Sequence, residues 1–136
     1  GAYNNLAGLY FRLGKYTKAE KMYKNARSVF EKLLGENHPY IAGTYGNMAY
    51  LYEMQGNYRE AKTLYLKEIS IYEAVFGEEH PKTVVSYCNL AELYEKQGEY
   101  AEAEELYRKA LPIAGRVLGE SHGLTRKIND RLANCL

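Results

Sequence analysis

The chain has 136 residues, 46% hydrophobic and 26% charged, with a formal net charge of +1. That length suits one domain, the apolar content is enough to offset ordering entropy, and no apolar run approaches the ~18 residues of a membrane span. The near-neutral total argues against nucleic acid as a partner, although the charge is uneven: residues 1–34 carry +5, 35–76 carry −2, 77–118 carry −3 and 119–136 carry +1.

The opening Gly1-Ala2-Tyr3-Asn4-Asn5 has neither the basic nor the apolar region of a secretory signal. Cys88 and Cys135 are too few for a disulfide framework or a zinc site. A reducing, cytoplasmic compartment is the expectation.

A spacing of 42 residues organises the chain. The first unit, about 1–34, is expected to hold a truncated helix A near 2–13 with Asn5-Leu6-Ala7, then Gly14, then helix B over 16–34 with Tyr16, Ala19, Tyr23 and Ala26. The second, 35–76, opens on Gly35-Glu36-Asn37-His38-Pro39. Pro39 suits the first helical turn and Gly56 the C-terminal cap, which places helix A over 39–55 and helix B over 58–76. Tyr45, Met48, Ala49 and Tyr52 lie at i, i+3, i+4 and i+7, one helix face. The third unit, 77–118, repeats this from Gly77-Glu78-Glu79-His80-Pro81, with helices over 81–97 and 100–118. A last helix near 123–135, in 119–136, matches Leu90-Ala91 with Leu132-Ala133 and is expected to cap the array. The first unit lacks the Gly-x-x-His-Pro entry, as expected of a chain that begins inside helix A of a longer array. No segment alternates with period two over strand length, so no sheet is predicted.

Twelve of the 15 tyrosines fall in four columns, Tyr3/45/87, Tyr10/52/94, Tyr16/58/100 and Tyr23/65/107. One helix pair cannot bury its apolar face alone; stacked neighbours cover it. Ala7, Ala49 and Ala91 on helix A, with Ala19, Ala61 and Ala103 on helix B, are expected where the two helices meet closely, and the tyrosines between pairs.

Leu6-Ala7-x-x-Tyr10, Gly14-x-Tyr16, Ala19, Tyr23 and Ala26 resemble the tetratricopeptide repeat. The 42-residue unit, Asn-Leu-Ala and the Gly-Glu-Asn-His-Pro and Gly-Glu-Glu-His-Pro turns are similar to the kinesin-light-chain type. The resemblance covers the whole chain. It implies one all-α domain over 1–136, a right-handed superhelical solenoid of antiparallel helix pairs, and a non-catalytic scaffold that binds a peptide or partner segment in its concave groove. A self-association or spacer segment is the alternative, as is a regulatory module of a larger protein.

Catalytic and metal chemistry find no support in the residues. No nucleophile elbow, P-loop or His-Glu-x-x-His is present, and no cofactor is implied. His38, His80 and His122 stand one repeat apart, too far for ligands ~2.0–2.1 Å from one zinc ion, and read as helix-entry residues. Glu99, Glu102, Glu104 and Glu105 read as a solvated face, as do Lys15, Lys18, Lys21 and Lys24, which could instead meet an acidic surface. Glu68 stands where Ala26 and Ala110 recur. If buried it needs a partner; it is expected to reach the groove edge, pair with a nearby Lys or Tyr, or act as a binding-site acid.

The resemblance further implies that the columns flanking Leu-Ala face the groove. These are Asn4, Gly46 and Cys88; Asn5, Asn47 and Asn89; Gly8, Tyr50 and Glu92; Phe11, Glu53 and Glu95; and Arg12, Met54 and Lys96. Asn offers both a donor and an acceptor, so the Asn column either holds a peptide backbone or ties its own repeat. Tyr50 and Phe11 break the repeat pattern and are expected to anchor partner side chains. A carboxylate clamp of the kind used for chaperone C-termini is not expected, since the Lys is missing and Glu92 would repel. The candidate peptide-binding set is Asn5, Asn47, Asn89, Tyr50, Phe11, Arg12, Glu92, Glu53 and Lys96. The expected partner is a protein or peptide, or a second copy, with no nucleic acid and no membrane.

Overall fold

The computed structural model describes residues 2–135, with side chains from Leu6 onward. Among the described residues every regular element is a helix: α1 (Ala2–Arg12), α2 (Tyr16–Leu34), α3 (Pro39–Met54), α4 (Tyr58–Phe76), α5 (Pro81–Lys96), α6 (Tyr100–Val117) and α7 (Gly123–Cys135). Each boundary falls within a residue of the one the periodicity predicts. None of these helices is long and apolar enough to cross a membrane.

The repeated turn residues set those boundaries. His38, His80 and His122 each stand just before a helix, and each ring Nδ1 accepts a backbone N–H two residues on: from Tyr40 at 3.2 Å, Lys82 at 3.1 Å and Leu124 at 3.0 Å. One orphan donor of each helix start is thereby satisfied. The histidine column is a set of caps. At the other end, Gly56 and Gly98 take φ of 79° and 75° and donate to the carbonyls of Glu53 and Glu95. The next residues, Asn57 and Glu99, donate back to Tyr52 and Tyr94 at 2.8 and 2.9 Å. A side chain at such a φ costs ~1–2 kcal/mol, so glycine holds this turn.

Backbone packing divides the chain into two compact units, residues 1–71 and 72–136, with α4 running through the division. In the first unit α1 packs on α2 and α2 on α3; in the second α5 packs on α6 and α6 on α7. The alanine columns do what their size permits. Ala7, Ala49 and Ala91, like Ala19, Ala61 and Ala103, are completely buried. Ala133, the counterpart in α7, is exposed.

The tyrosine columns differ from one another. Tyr23, Tyr65 and Tyr107 are all buried, one helical turn after the small Ala19, Ala61 and Ala103. The Tyr16/58/100 column opens helix B at the rim, and Tyr100 is 53% exposed. Tyr10, Tyr52 and Tyr94, like Tyr16, Tyr45 and Tyr58, are half-buried, and Tyr87 is buried. The expectation that the tyrosines fill the gaps between pairs is corrected for Tyr100, which at a helix start has no preceding turn over it.

Candidate functional site

In the first unit the candidate face is built on α1 and α3. Asn47, Tyr50 and Met54 lie at i, i+3 and i+7 on α3, and all three are exposed. Tyr50 is 48% exposed, and its ring is backed by Phe11 of α1, with centroids 5.4 Å apart and planes tilted by 40°. Phe11 in turn meets the edge of Tyr16 at 5.6 Å. Such pairs contribute ~0.5–1.5 kcal/mol beyond the area they bury, so the shelf is held in shape before any ligand arrives. One turn before Phe11, Gly8 has open space where a Cβ would point. Arg12, next to Phe11, is exposed. The side chain of Asn5, and that of Asn4, lie outside the described residues.

Glu53 departs from its expected place. It is only 6% exposed, and the Tyr65 hydroxyl donates to its Oε1 at 3.0 Å. Its carboxylate is taken up inside the α3–α4 pair and is removed from the candidate surface. The Gly46/Cys88 column is corrected as well. Cys88 is buried, and Gly46 is covered by Glu68. Glu68 does not escape to an edge: it is 6% exposed, and a Cβ on Gly46 would collide with its carboxylate. The small Gly46 thus stands under the large Glu68; one repeat on, the equivalent positions read Cys88 and Ala110. Gly46→Ala is therefore expected to displace the Glu68 carboxylate and to forfeit the ~1 kcal/mol that Ala otherwise gains over Gly in a helix interior. Adding Glu68→Ala should recover most of that loss. Urea denaturation of the singles and the double gives the coupling; additive losses would mean the two residues do not meet.

In the second unit the same columns are differently engaged. Asn89 is half-buried and Lys96 exposed on α5. Glu92 forms an ion pair with Lys127 at 2.8 Å and stands 3.9 Å from Arg131, while Glu95 binds Arg131 at 2.6 Å. Cys135 Sγ donates to Glu95 at 3.5 Å. Glu92 is thus committed to α7. The basic partners Lys127 and Arg131, four residues apart on α7, are missed by sequence reasoning because the earlier units carry no cation in their columns: Arg131 stands where Asn5, Asn47 and Asn89 recur, and Lys127 where Val85 stands.

A second group of side chains recurs with the repeat. Tyr87 donates to Glu73 Oε2 at 2.5 Å, and Lys109 Nζ lies 4.9 Å from the Tyr87 ring centroid and 3.1 Å from Glu78. The first unit repeats it, Tyr45 pairing with Glu31 and Lys67 lying 5.4 Å from the ring centroid. Tyr, Glu and Lys recur here at the same 42-residue spacing, and that was the available signal. Among the described residues no three His, Cys, Asp or Glu side chains are grouped to hold a metal ion.

The tetratricopeptide repeat family matches the sequence over residues 1–74, 40–116 and 86–136. The chain belongs to the tetratricopeptide repeat family. Similar solved structures include BtubC (BKLC) from P. vanneervenii, with a TM-score of 0.89 at 21% identity over 98% of this chain and 53% of that one. A putative kinesin light chain from Podosopora anserina, built of nearly identical repeats, gives 0.85 at 25% identity over 98% and 64%. The type III secretion chaperone SycD from Yersinia enterocolitica, in complex with a peptide of the translocator YopD, gives 0.71 at 19% over 98% and 89%. The chain thus spans between half and two thirds of the kinesin-light-chain-like relatives, whose repeat type it shares. No curated protein matches the sequence.

Proposed function

We propose that this tetratricopeptide chain is a non-catalytic interaction module that holds a peptide segment of a partner on the exposed face of its A helices. The observation that carries this reading is the Tyr50 ring, half exposed and braced from behind by Phe11. An exposed aromatic ring suits a partner side chain, with open space at Gly8 one turn before Phe11, and the exposed Asn47 amide suits its backbone. Arg12 borders the shelf, and in the second unit Asn89 and Lys96 occupy the corresponding columns. SycD, which has this fold and takes up a YopD peptide, supports the same use of such repeats.

The test is a peptide-array screen followed by calorimetry on the best binder. Tyr50→Ala is expected to weaken binding by ~2 kcal/mol or more, roughly 30-fold, as for an interface anchor. Asn47→Ala should cost about tenfold, the worth of one or two net hydrogen bonds at ~0.5–1.5 kcal/mol each. The melting temperature of Asn47→Ala should stay at the parent value, since that side chain is exposed, and Tyr50→Ala should lose about what the Phe11 contact contributes, ~0.5–1.5 kcal/mol. Full affinity in Tyr50→Ala would reject the site.

A second reading is favoured by the charge distribution: residues 1–34 carry +5 and 77–118 carry −3. Head-to-tail association of copies would then appear by light scattering at low salt and vanish at high salt.

A further inference from the structure

The Tyr–Glu–Lys group described above has a repeat in which its Tyr and its Glu are both replaced by smaller residues. One repeat beyond Tyr87 and Glu73, the columns read Asn129 and Gly115. In their place a cavity of about 480 Å³ lies between α6 and α7, within the size range of ligand pockets. Leu111 and Pro112 give it an apolar wall on α6, and Thr125, Arg126, Asn129 and Asp130 line it from α7.

The polar fittings of a tyrosine site remain although the ring is gone. Glu120, from the α6–α7 turn, lines the cavity and places its carboxylate over Gly115, 2.9 Å from where a Cβ would stand. An acceptor therefore occupies the column that Glu73 fills for Tyr87. Thr125 is 3% exposed, and its hydroxyl has no hydrogen-bond partner among the described residues. Its counterpart Thr83 donates to the Gly77 carbonyl at 2.8 Å. A buried hydroxyl without a partner costs ~1–3 kcal/mol, and a polar ligand group would satisfy it. Arg126 brings a cation to the rim, as Lys109 and Lys67 do over Tyr87 and Tyr45.

We propose that this cavity receives a tyrosyl side chain from another protein, its phenol donating to Glu120 and its ring resting on Leu111 and Pro112. The site uses α6 and α7 and is separate from the Tyr50 shelf, so it stands or falls independently of the preceding section.

The probes are N-acetyl-tyrosinamide and N-acetyl-phenylalaninamide, titrated into the 136-residue chain and followed by amide NMR shifts. The tyrosine probe should shift Leu111, Thr125 and Asn129 saturably and bind about tenfold more tightly than the phenylalanine probe, the worth of a hydrogen bond to a charged acceptor. Glu120→Gln, at an exposed position, should reduce that preference several-fold. Gly115→Glu with Asn129→Tyr restores the repeat residues, fills the cavity and should abolish binding. Tyr50→Ala should leave the titration unchanged. Equal binding of the two probes, shifts confined to other residues, or undiminished preference in Glu120→Gln would overturn the proposal, whether or not the filled variant folds.

Discussion

Ala49→Leu is expected to lower the melting temperature by ~5–10 °C. Ala49 has no exposed surface, nor has Ala61 on the helix B of the same repeat. Three added carbons have no space there, and overpacking costs ~1–3 kcal/mol of a total stability of ~5–15 kcal/mol. In a repeat array each unit depends on its neighbours, so a fault at one interface loosens the units on both sides. Ala133→Leu supplies the control, because the same column is exposed in α7; that variant should melt with the parent. Thermal denaturation of the two variants side by side decides the matter. If Ala49→Leu and Ala133→Leu behaved alike, close helix packing would not be what selects alanine here.

Stability should also collapse in alkali. Burial, with Glu92 adding and Lys127 opposing, pushes the Cys88 thiol from 9.0 up to about 12. Burial and the neighbouring Glu20 carboxylate push the Tyr52 phenol from 10.0 up to about 12. Tyr87 and Tyr107 are raised further, first by burial, then by Glu73 and Glu95 respectively. All these groups keep their protons in the folded chain at a pH where the unfolded chain releases them. The folded state then binds more protons, so stability falls as pH rises. The contribution is complete below pH 9.0 and is lost progressively toward pH 12. Each pK unit corresponds to at most ~1.4 kcal/mol, less where solvent screens the part-exposed Tyr52.

Chemical denaturation across that range should show the midpoint falling steeply once Cys88, and then the tyrosines, begin to ionise in the unfolded chain. Tyr107→Phe removes a buried hydroxyl that has no partner among the described residues. It should therefore cost little at neutral pH and flatten the alkaline slope. A midpoint that holds steady through pH 12 would show that these groups are not desolvated as their burial implies.

The helices were legible because their signals are local. Glycine at positive φ, histidine and proline at the helix entry, and alanine followed by tyrosine at i+4 act within a few residues, and the 42-residue spacing repeats them. The family resemblance rests on the same residues. Tyr50 and Asn47 could be placed on one exposed face for that reason: both are positions on one helix whose buried side is marked by Met48 and Ala49.

What could not be read from the sequence depends on which neighbour a side chain meets. Glu53 and Tyr50 sit three residues apart on α3, yet one is buried against Tyr65 and the other faces solvent. Helical periodicity gives a direction for each, and only the position of α4 decides which direction is inside. Glu92 looked like a ligand contact until α7 brought Lys127 to it. Glu68 looked like a fault until Gly46 was found beneath it. The sequence by itself determined the helix order, the turns, the alanine contacts and the repeat family, because each is encoded within one unit of 42 residues. The tertiary structure alone decided which polar side chains remain available and where the cavity between α6 and α7 opens, because burial and volume depend on residues distant in the chain.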